Sequence, residues 1–273
     1  MKFFLSQEEM WDMPIQPKEG EKHIPHWVGN ILYVVFGFIG KVFFRYKVEG
    51  KENLRHLQGK TGAVVVCNHT SYLDVVFLYL TSRPKQWIRF LAKDDLFEVA
   101  HGFIGWVVSH VGGIPIKRDS ADRKAIKRAA GILKRKELVG IFPEATRRNK
   151  TDRKPELHAG AAFIARMGKA PLLPATVRNA EKVKEKGKMM RFPKITVEYG
   201  KPIELSEFDF LPKEERLQAA TWFAMRQSFA MFYRCSASEV DMKALFPDEQ
   251  DFSEVFASHP IAFGLHEESV DNS

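Results

Sequence analysis

Cysteine is scarce in this chain of 273 residues, which contains only Cys67 and Cys235. Two cysteines cannot build the multiple disulfides of a small secreted domain, and so few are typical of a protein kept in a reducing compartment. Cys67 lies two residues before His69, which leaves a Cys-His nucleophile as one interpretation. Because Cys67 ends an apolar run, a small buried core residue is the favoured one.

Common cofactor and nucleophile motifs are also missing from the sequence. It has no Gly-x-x-x-x-Gly-Lys phosphate loop, no Gly-x-Ser-x-Gly elbow and no dinucleotide glycine fingerprint. Its histidines show no metal-ligand spacing with one another or with cysteine. These absences count against the usual nucleotide, serine-hydrolase and zinc sites.

The sequence lacks a long uninterrupted apolar run. Residues 1–26 are polar and of mixed charge, without the apolar region of a cleavable secretory signal. The most lipophilic stretch, 27–44, would be about 27 Å long as a helix, and Asn30, Lys41 and three glycines interrupt it. That is marginal for crossing about 30 Å of hydrocarbon. Its aromatic residues and nearby cations favour an anchor helix lying in one leaflet, with a buried core helix as the alternative.

Basic residues outnumber acidic ones, and the two are unevenly placed. The chain has 42 Lys and Arg against 34 Asp and Glu, a net charge of +8. Residues 237–273 hold nine of the acids and one base, which leaves 41 bases and 25 acids, a net +16, over residues 1–236. A basic body predicts an anionic partner, such as a membrane surface, a nucleic acid or an acidic or phosphorylated carrier. A solvated basic face without a partner is the alternative.

Short β-branched runs alternate with helical patterns along most of the chain. Strands are predicted at 46–50, 63–67, 87–92, 138–142, 172–177 and 194–199, and helices from about 71 and at 94–110, 120–136, 157–167 and 210–234. This alternation predicts an α/β fold, with a mostly parallel central sheet and helices on both faces, preceded by the N-terminal amphipathic or apolar helical membrane anchor. We expect a leader and anchor at 1–48, the α/β domain at 49–236 and an acidic, poorly ordered tail or surface arm at 237–273.

The stretch from Asn68 to Asp74 joins a predicted strand to a predicted helix. Open α/β folds bind ligands outside the carboxyl ends of their strands. With His69 in the turn and Asp74 in the first helical turn the two side chains can meet, and a carboxylate on one imidazole nitrogen leaves the other free as a base. A capping box, with Ser71 as the cap and Asp74 three residues on, explains the stretch alone equally well.

Two further segments place polar groups near the ends of predicted strands. Residues 112–119 combine two glycines with Lys117 and Arg118; glycine permits close approach of a ligand, and arginine offers a fork matched to phosphate. Residues 142–148 offer a carboxylate, a hydroxyl and two guanidinium groups just past a buried strand. From these residues alone, a ligand site and a structural ion pair are equally supported.

Taken together, in this order and spacing, these segments resemble the glycerolipid acyltransferase family, in particular bacterial lysophosphatidic acid acyltransferases. The family's Asn-His-x-x-x-x-Asp block is matched by Asn68, His69 and Asp74. Its Gly-x-Ile-x-Ile-x-Arg and Phe-Pro-Glu-Gly-Thr-Arg blocks are matched by a larger set: Gly113, Ile114, Ile116, Arg118, Phe142, Pro143, Glu144, Thr146 and Arg147.

The resemblance covers about residues 27–205, and a fourth block, a proline-containing apolar strand, is similar to 171–177. Two positions depart from the family pattern. Ala145 stands where the family usually has glycine, and His158 stands where it often has lysine. Both departures concern residues that would contact the lipid head group.

The resemblance implies transfer of a fatty acyl group from acyl-CoA or acyl carrier protein to the free hydroxyl of lysophosphatidic acid, giving phosphatidic acid. His69 would take the hydroxyl proton, and Asp74 would orient the ring. It further implies a protein bound peripherally or monotopically to an anionic membrane surface on the cytoplasmic side, with no metal and no cofactor besides the co-substrate. The phosphate and glycerol would be held by the other matched residues and their neighbours: Lys117, Arg118, Glu144, Ala145, Thr146 and Arg147.

Two other functions remain open from the sequence. Ala145 and Ala159 motivate an acyltransferase with another acceptor, such as a different lysophospholipid, an amino-acid lipid or a glycolipid. The net +16 of the body motivates a non-catalytic basic module that binds anionic lipid or nucleic acid. No nucleic-acid recognition motif is present in the sequence, and we expect no nucleic-acid partner.

Overall fold

The computed structural model of the chain describes residues 5–117, 122–144, 147–148, 155–184, 187 and 189–265. The strands within them are β1 (Lys47–Glu49), β2 (Ala63–Cys67), β3 (Ile88–Lys93), β4 (Ile114–Ile116), β5 (Leu138–Ile141), β6 (Leu172–Arg178) and β7 (Thr196–Tyr199). The α-helices are α1 (Gln7–Trp11), α2 (His26–Val42), α3 (Lys51–Leu57), α4 (Leu73–Ser82), α5 (Phe103–His110), α6 (Arg123–Lys134), α7 (Gly160–Gly168), α8 (Arg216–Tyr233), α9 (Met242–Leu245) and α10 (Ser253–Ser258).

The strands form one sheet in the order β1-β7-β6-β2-β5-β3-β4. Every neighbouring pair is parallel except β6 and β7, which run antiparallel. The predicted α/β fold with a mostly parallel sheet is therefore confirmed. At the sheet centre, all five residues of β2 are buried, which explains why this strand is a continuous apolar run rather than an alternating one.

Helices cover both faces of the sheet, and β2 supplies side chains to each. Val64 and Val66 point into a core that contains α6, α7 and α8 residues. Ala63, Val65 and Cys67 point into the opposite core, which contains residues of the N-terminal leader, α3 and α4. Successive side chains of a strand point to opposite faces, so one short apolar run anchors two hydrophobic layers.

The parallel strands bring three sequence-distant segments to one edge. β2, β4 and β5 run in the same direction, so the residues that follow them leave the sheet on the same side. The turn after β2 begins with Asn68, the segment after β4 begins with Lys117, and the segment after β5 begins with Phe142. This edge is where open α/β sheets bind their ligands.

Helix α2 is a surface helix rather than a buried core helix. Gly29 and Gly40 face inward, where an added Cβ would come within 3 Å of Trp87 and Tyr46 side-chain atoms, so these glycines allow α2 to pack closely. The outer side is apolar and exposed: Trp27, Ile31, Val34, Val35, Phe38 and Val42. Among the helices formed by the described residues, none is both long and apolar enough to cross a membrane.

The prediction of a single helix at 94–110 is wrong. A 3₁₀ turn occupies Asp94–Phe97, and α5 begins only at Phe103. Between them, Ala100, His101 and Gly102 have φ values of 53°, 55° and 82°. Three successive left-handed residues cannot continue a right-handed helix, and two of them are not glycine, which removes the usual sequence signal.

The prediction of a poorly ordered tail is wrong for residues 237–265. This segment forms a 3₁₀ turn followed by α9 and α10, and it packs against α8. Phe246, Phe252 and Phe256 are buried in the same core as Trp222. The segment is acidic and its phenylalanines are widely spaced, so the local sequence gives no sign of a buried face. Their packing depends on long-range contacts. The remaining residues, 266–273, lie outside the described part of the chain.

The N-terminal leader is held to the sheet by a buried ion pair. Arg89 on β3 donates hydrogen bonds to the carbonyls of Trp11 and Met13 and lies 3.5 Å from the Glu137 carboxylate. The second oxygen of Glu137 accepts the backbone N–H of Ile15 at 2.9 Å. Both charged side chains are almost completely buried. The pair thus satisfies backbone groups of the leader that packing would otherwise leave unbonded.

Replacing Arg89 with methionine is expected to lower the free energy of unfolding by about 3–5 kcal/mol, because Glu137 would remain as an uncompensated buried charge. Urea unfolding of wild type and variant measures the difference. Arg135→Gln is the control, because Arg135 pairs with Glu21 of the same leader at the surface, and we expect its unfolding midpoint to change little. A loss below about 1 kcal/mol in the Arg89 variant would contradict the buried bridge.

Candidate active site

One carboxylate organises the turn between β2 and α4. The Oδ2 atom of Asp74 lies 3.0 Å from the Nδ1 atom of His69 and accepts the backbone N–H groups of Thr70 at 2.7 Å and Ser71 at 2.8 Å. Asp74 is completely buried. The contact between His69 and Asp74 predicted from the sequence is therefore confirmed. Because a carboxylate accepts, Nδ1 carries the proton and Nε2 is left with a free lone pair.

The capping box predicted for this stretch is only half formed. The Ser71 hydroxyl accepts the N–H of Leu73 at 3.2 Å, not that of Asp74, and α4 begins at Leu73 after Tyr72. The reciprocal half is present, because the Asp74 carboxylate accepts the N–H of Ser71. The same carboxylate therefore orders the start of the helix and holds the imidazole ring.

Two aromatic rings are stacked in line on one flat face of the imidazole. The His69 ring stacks on Phe142, which follows β5, with centroids 4.1 Å apart and an interplanar angle of 25°. Phe142 in turn stacks on Phe90 of β3, at 5.7 Å. The hydrogen bond to Asp74 sets the rotation of the ring, and this stack sets its plane. Phe90 was not predicted as part of the site, because nothing in its local sequence distinguishes it from other core phenylalanines.

Glu144 is turned into the protein. One carboxylate oxygen accepts the backbone N–H of His69 at 2.9 Å, and the other forms an ion pair with the Nε atom of Arg148. Burial raises the pKa of Glu144 to about 7, although Arg148 and the His69 N–H oppose the shift. Of the two interpretations left open by the sequence, the structural ion pair is the one that is formed, and Arg148 rather than Arg147 is the partner.

The other matched residues lie in different settings. The Arg147 guanidinium lies 3.6 Å from the centre of the Tyr72 ring. Lys117 has an exposed side chain, and its backbone N–H donates to the Asp122 carboxylate at 3.1 Å. Asp122 is also the N-cap of α6. Arg118, Ala145 and Thr146 lie outside the described residues.

Cys67 and Asn68, which precede His69, have structural roles. Cys67 is buried, and burial next to Asp74 and Glu144 raises the pKa of its thiol well above the ordinary value. A thiol that resists ionisation is a poor nucleophile, so the core-residue interpretation is the one that fits. The side-chain oxygen of Asn68 accepts the hydroxyl of Thr176 at 2.7 Å, which ties the turn to β6.

A cavity of about 640 Å³ begins beside the imidazole. His69, Tyr72, Phe142 and Arg147 are among its lining residues. Most of the remaining lining is apolar and comes from α2, α4, β3 and α5, including Leu32, Phe36, Val76, Leu80, Leu91 and Val108. Lys93 and Asp95, which form an ion pair with each other, also line it. The arrangement places a potential base and the Arg147 cation on a mostly apolar chamber, which is suited to a ligand with a long apolar chain and a polar end.

Sequence comparison identifies relatives of this chain among known acyltransferases. Residues 45–178 match the family model described as Acyltransferase. The chain is 37% identical over 195 residues to the 1-acyl-sn-glycerol-3-phosphate acyltransferase of Bacillus subtilis (strain 168), covering 70% of this chain and 88% of that protein. It is 31% identical over 182 residues to the chloroplastic 1-acyl-sn-glycerol-3-phosphate acyltransferase LPAT1 of Arabidopsis thaliana, covering 65% of this chain and 49% of that protein.

The fold has a counterpart among solved structures. The crystal structure of the 1-acyl-sn-glycerophosphate (LPA) acyltransferase PlsC from Thermotoga maritima matches with a TM-score of 0.54 and 23% identity, covering 75% of this chain and 79% of that one. At this identity the likeness concerns the fold alone. The sequence match to the Bacillus subtilis protein is the stronger finding, and it shows that this chain belongs to the glycerolipid acyltransferase family of lysophosphatidic acid acyltransferases.

Proposed function

We propose that this chain is an O-acyltransferase that moves a fatty acyl group from a thioester to the free hydroxyl of 1-acylglycerol-3-phosphate, giving phosphatidic acid. The observation that carries the proposal is the contact of Asp74 with His69, a residue that lines a mostly apolar cavity of about 640 Å³. The names of the related proteins support the same reaction. The thioester donor in this proposal is acyl-CoA or acyl carrier protein.

The proposed mechanism follows from the protonation of the His69 ring on Nδ1 rather than on Nε2. The free lone pair on Nε2 of His69 accepts the proton of the lipid hydroxyl as its oxygen attacks the thioester carbonyl carbon, and a new C–O bond forms. The tetrahedral intermediate then expels the thiolate by breaking the C–S bond, and His69 returns the proton to the sulfur. Asp74 stabilises the imidazolium between these steps. General-base catalysis of this kind contributes about 10²–10⁴ to the rate.

The cavity supplies the binding energy for the acyl chain. Each buried methylene contributes about 0.8 kcal/mol, so an apolar chamber that admits a long chain also holds the thioester against the imidazole. Arg147, at the same cavity and above Tyr72, carries a positive charge suited to the phosphate of the acceptor. We propose that Lys117 assists, because it follows β4 at the same sheet edge, and that Arg118, its neighbour in the sequence, does so too.

We further propose that α2 attaches the protein peripherally to an anionic membrane surface on the cytoplasmic side of the cell membrane. Val34 and Phe38 on its outer side are each 66% exposed. Leu32 and Phe36 of the same helix line the cavity, so a helix in the bilayer surface would bring the chamber to the lipids. Each apolar side chain that enters the membrane contributes about 1.5–3 kcal/mol, so a few are sufficient for binding.

Replacing His69 with alanine is expected to lower kcat by about 10²–10⁴, because the proton acceptor is lost while the acyl cavity remains. The assay supplies a lysophosphatidic acid and an acyl thioester, follows thiol release and identifies phosphatidic acid by mass spectrometry. His56→Ala, an exposed histidine on α3, is the control and should retain full activity.

Wild-type-like activity in the His69 variant would refute the mechanism. A panel of other lysophospholipids, amino-acid lipids and glycolipids, run with the wild-type protein, identifies the acceptor. A higher kcat/KM with any of these than with lysophosphatidic acid would contradict the proposed substrate.

Substituting serine for both Val34 and Phe38 is expected to weaken binding to vesicles that contain phosphatidylglycerol by at least about tenfold, because two apolar anchors are removed without any change of charge. Co-sedimentation with the vesicles measures the affinity. Phe210→Ser is the matched control, since this exposed aromatic precedes α8 on the other face of the sheet. Equal affinities of the double variant and wild type would exclude α2 as the membrane contact.

A further inference from the structure

The segment at 237–265 has no role in the function proposed so far. It lies beyond residues 45–178, which match the family model, yet it packs firmly on the core through α9 and α10. One of its contacts leads to the His69 turn. We propose, on the basis of the proposed function, that Arg148 is a positioning residue through which this C-terminal segment holds the His69 turn in its reactive geometry.

Arg148 and Glu144 together hold both backbone polar groups of His69. The backbone N–H of Arg148 donates to the His69 carbonyl at 3.2 Å. The backbone N–H of His69 donates to Glu144 at 2.9 Å, and the other oxygen of Glu144 pairs with the Arg148 guanidinium. The segment after β5 therefore clamps the segment after β2 on both sides of the His69 α-carbon. A shift of Arg148 moves both halves of this clamp.

The opposite side of the Arg148 side chain contacts the C-terminal segment. A guanidinium nitrogen donates to the carbonyl of Leu245, the last residue of α9, at 3.3 Å. The guanidinium carbon lies 4.6 Å from the ring centre of Phe246 and 4.7 Å from that of Phe229 on α8. Phe246 is fully buried, so its ring is a fixed support. The guanidinium is thus held by α8 and the C-terminal segment while it pairs with Glu144.

Arg148 acts through other groups rather than on the substrate. The neighbouring Arg147 lines the cavity, whereas Arg148 lies behind the turn, between Glu144 and the two phenylalanine rings. After burial, the nearby negative charge of Asp74 is a further, smaller cause of the raised pKa of Glu144. Arg148 is the cation that opposes the burial-raised pKa of Glu144, so its removal would favour a protonated, weakly held Glu144.

The central experiment separates turnover from binding in variants of the full-length chain. Arg148→Met is expected to lower kcat by about 10²-fold with both KM values nearly unchanged, because the base is displaced while the cavity and Arg147 stay in place. Arg148→Lys should recover about tenfold of this loss, since an ammonium can still pair with Glu144 but cannot reproduce the planar contacts of a guanidinium. An Arg148→Met variant with wild-type kcat would overturn the inference.

A second pair of variants tests the C-terminal support and remains informative if Arg148→Met fails to fold. Phe246→Leu removes a ring under the guanidinium and is expected to lower kcat by about tenfold. Phe252→Leu is its matched control, because Phe252 is buried in the same core but contacts Trp222 and Phe256 instead. We expect it to keep wild-type kcat per folded molecule at a similar loss of stability. Equal kcat values for the two variants would overturn the C-terminal support.

The His69→Ala variant and the wild type are assayed in parallel. If the wild type turns over, His69→Ala does not and the Arg148 variants match the wild type, the positioning role is rejected while the proposed function stands. A wild type with no turnover of lysophosphatidic acid and acyl thioester rejects the proposed function itself. The two failures are therefore distinguishable.

Discussion

The hydrogen bonds to one oxygen of Asp74 are the interaction on which the rest of the site depends. This buried carboxylate holds the imidazole of His69 and two backbone N–H groups of the same turn. It therefore orders the turn between β2 and α4 and places the proton of the neutral His69 ring on Nδ1. A buried carboxylate with such donors is costly to reposition, so the His69 ring, the base of the proposed mechanism, is held in one orientation before any ligand binds.

The fold brings the remaining requirements to the same place. Parallel strands deliver Phe142 and Glu144 to the edge where His69 lies, and α2 and α4 enclose an apolar chamber against β3. The face of α2 away from the chamber is exposed and apolar, which supports the proposed attachment to a bilayer surface. Arg148 connects the His69 turn to the C-terminal segment through Glu144, Leu245 and Phe246, which is the basis of its proposed positioning role.

Local patterns predicted the sheet and the pairing of His69 with Asp74, because both depend on short-range spacing and on strand burial. The sequence could not decide whether Glu144 faces a ligand or an arginine, since that depends on where Arg148 finds aromatic partners far along the chain. The break before α5 and the docking of Phe246 escaped prediction for a similar reason. Left-handed alanine and histidine carry no clear signal, and scattered phenylalanines in an acidic segment reveal their partners only in the fold.

The most direct test of the account is the position of the proton on His69. Nitrogen-15 NMR of histidine-labelled protein, recorded where the ring is neutral, distinguishes Nδ1–H from Nε2–H. We expect the Nδ1–H form in the wild-type protein and the loss of this preference in Asp74→Ala. A wild-type ring protonated on Nε2, or a tautomer unaffected by the loss of the Asp74 carboxylate, would contradict it.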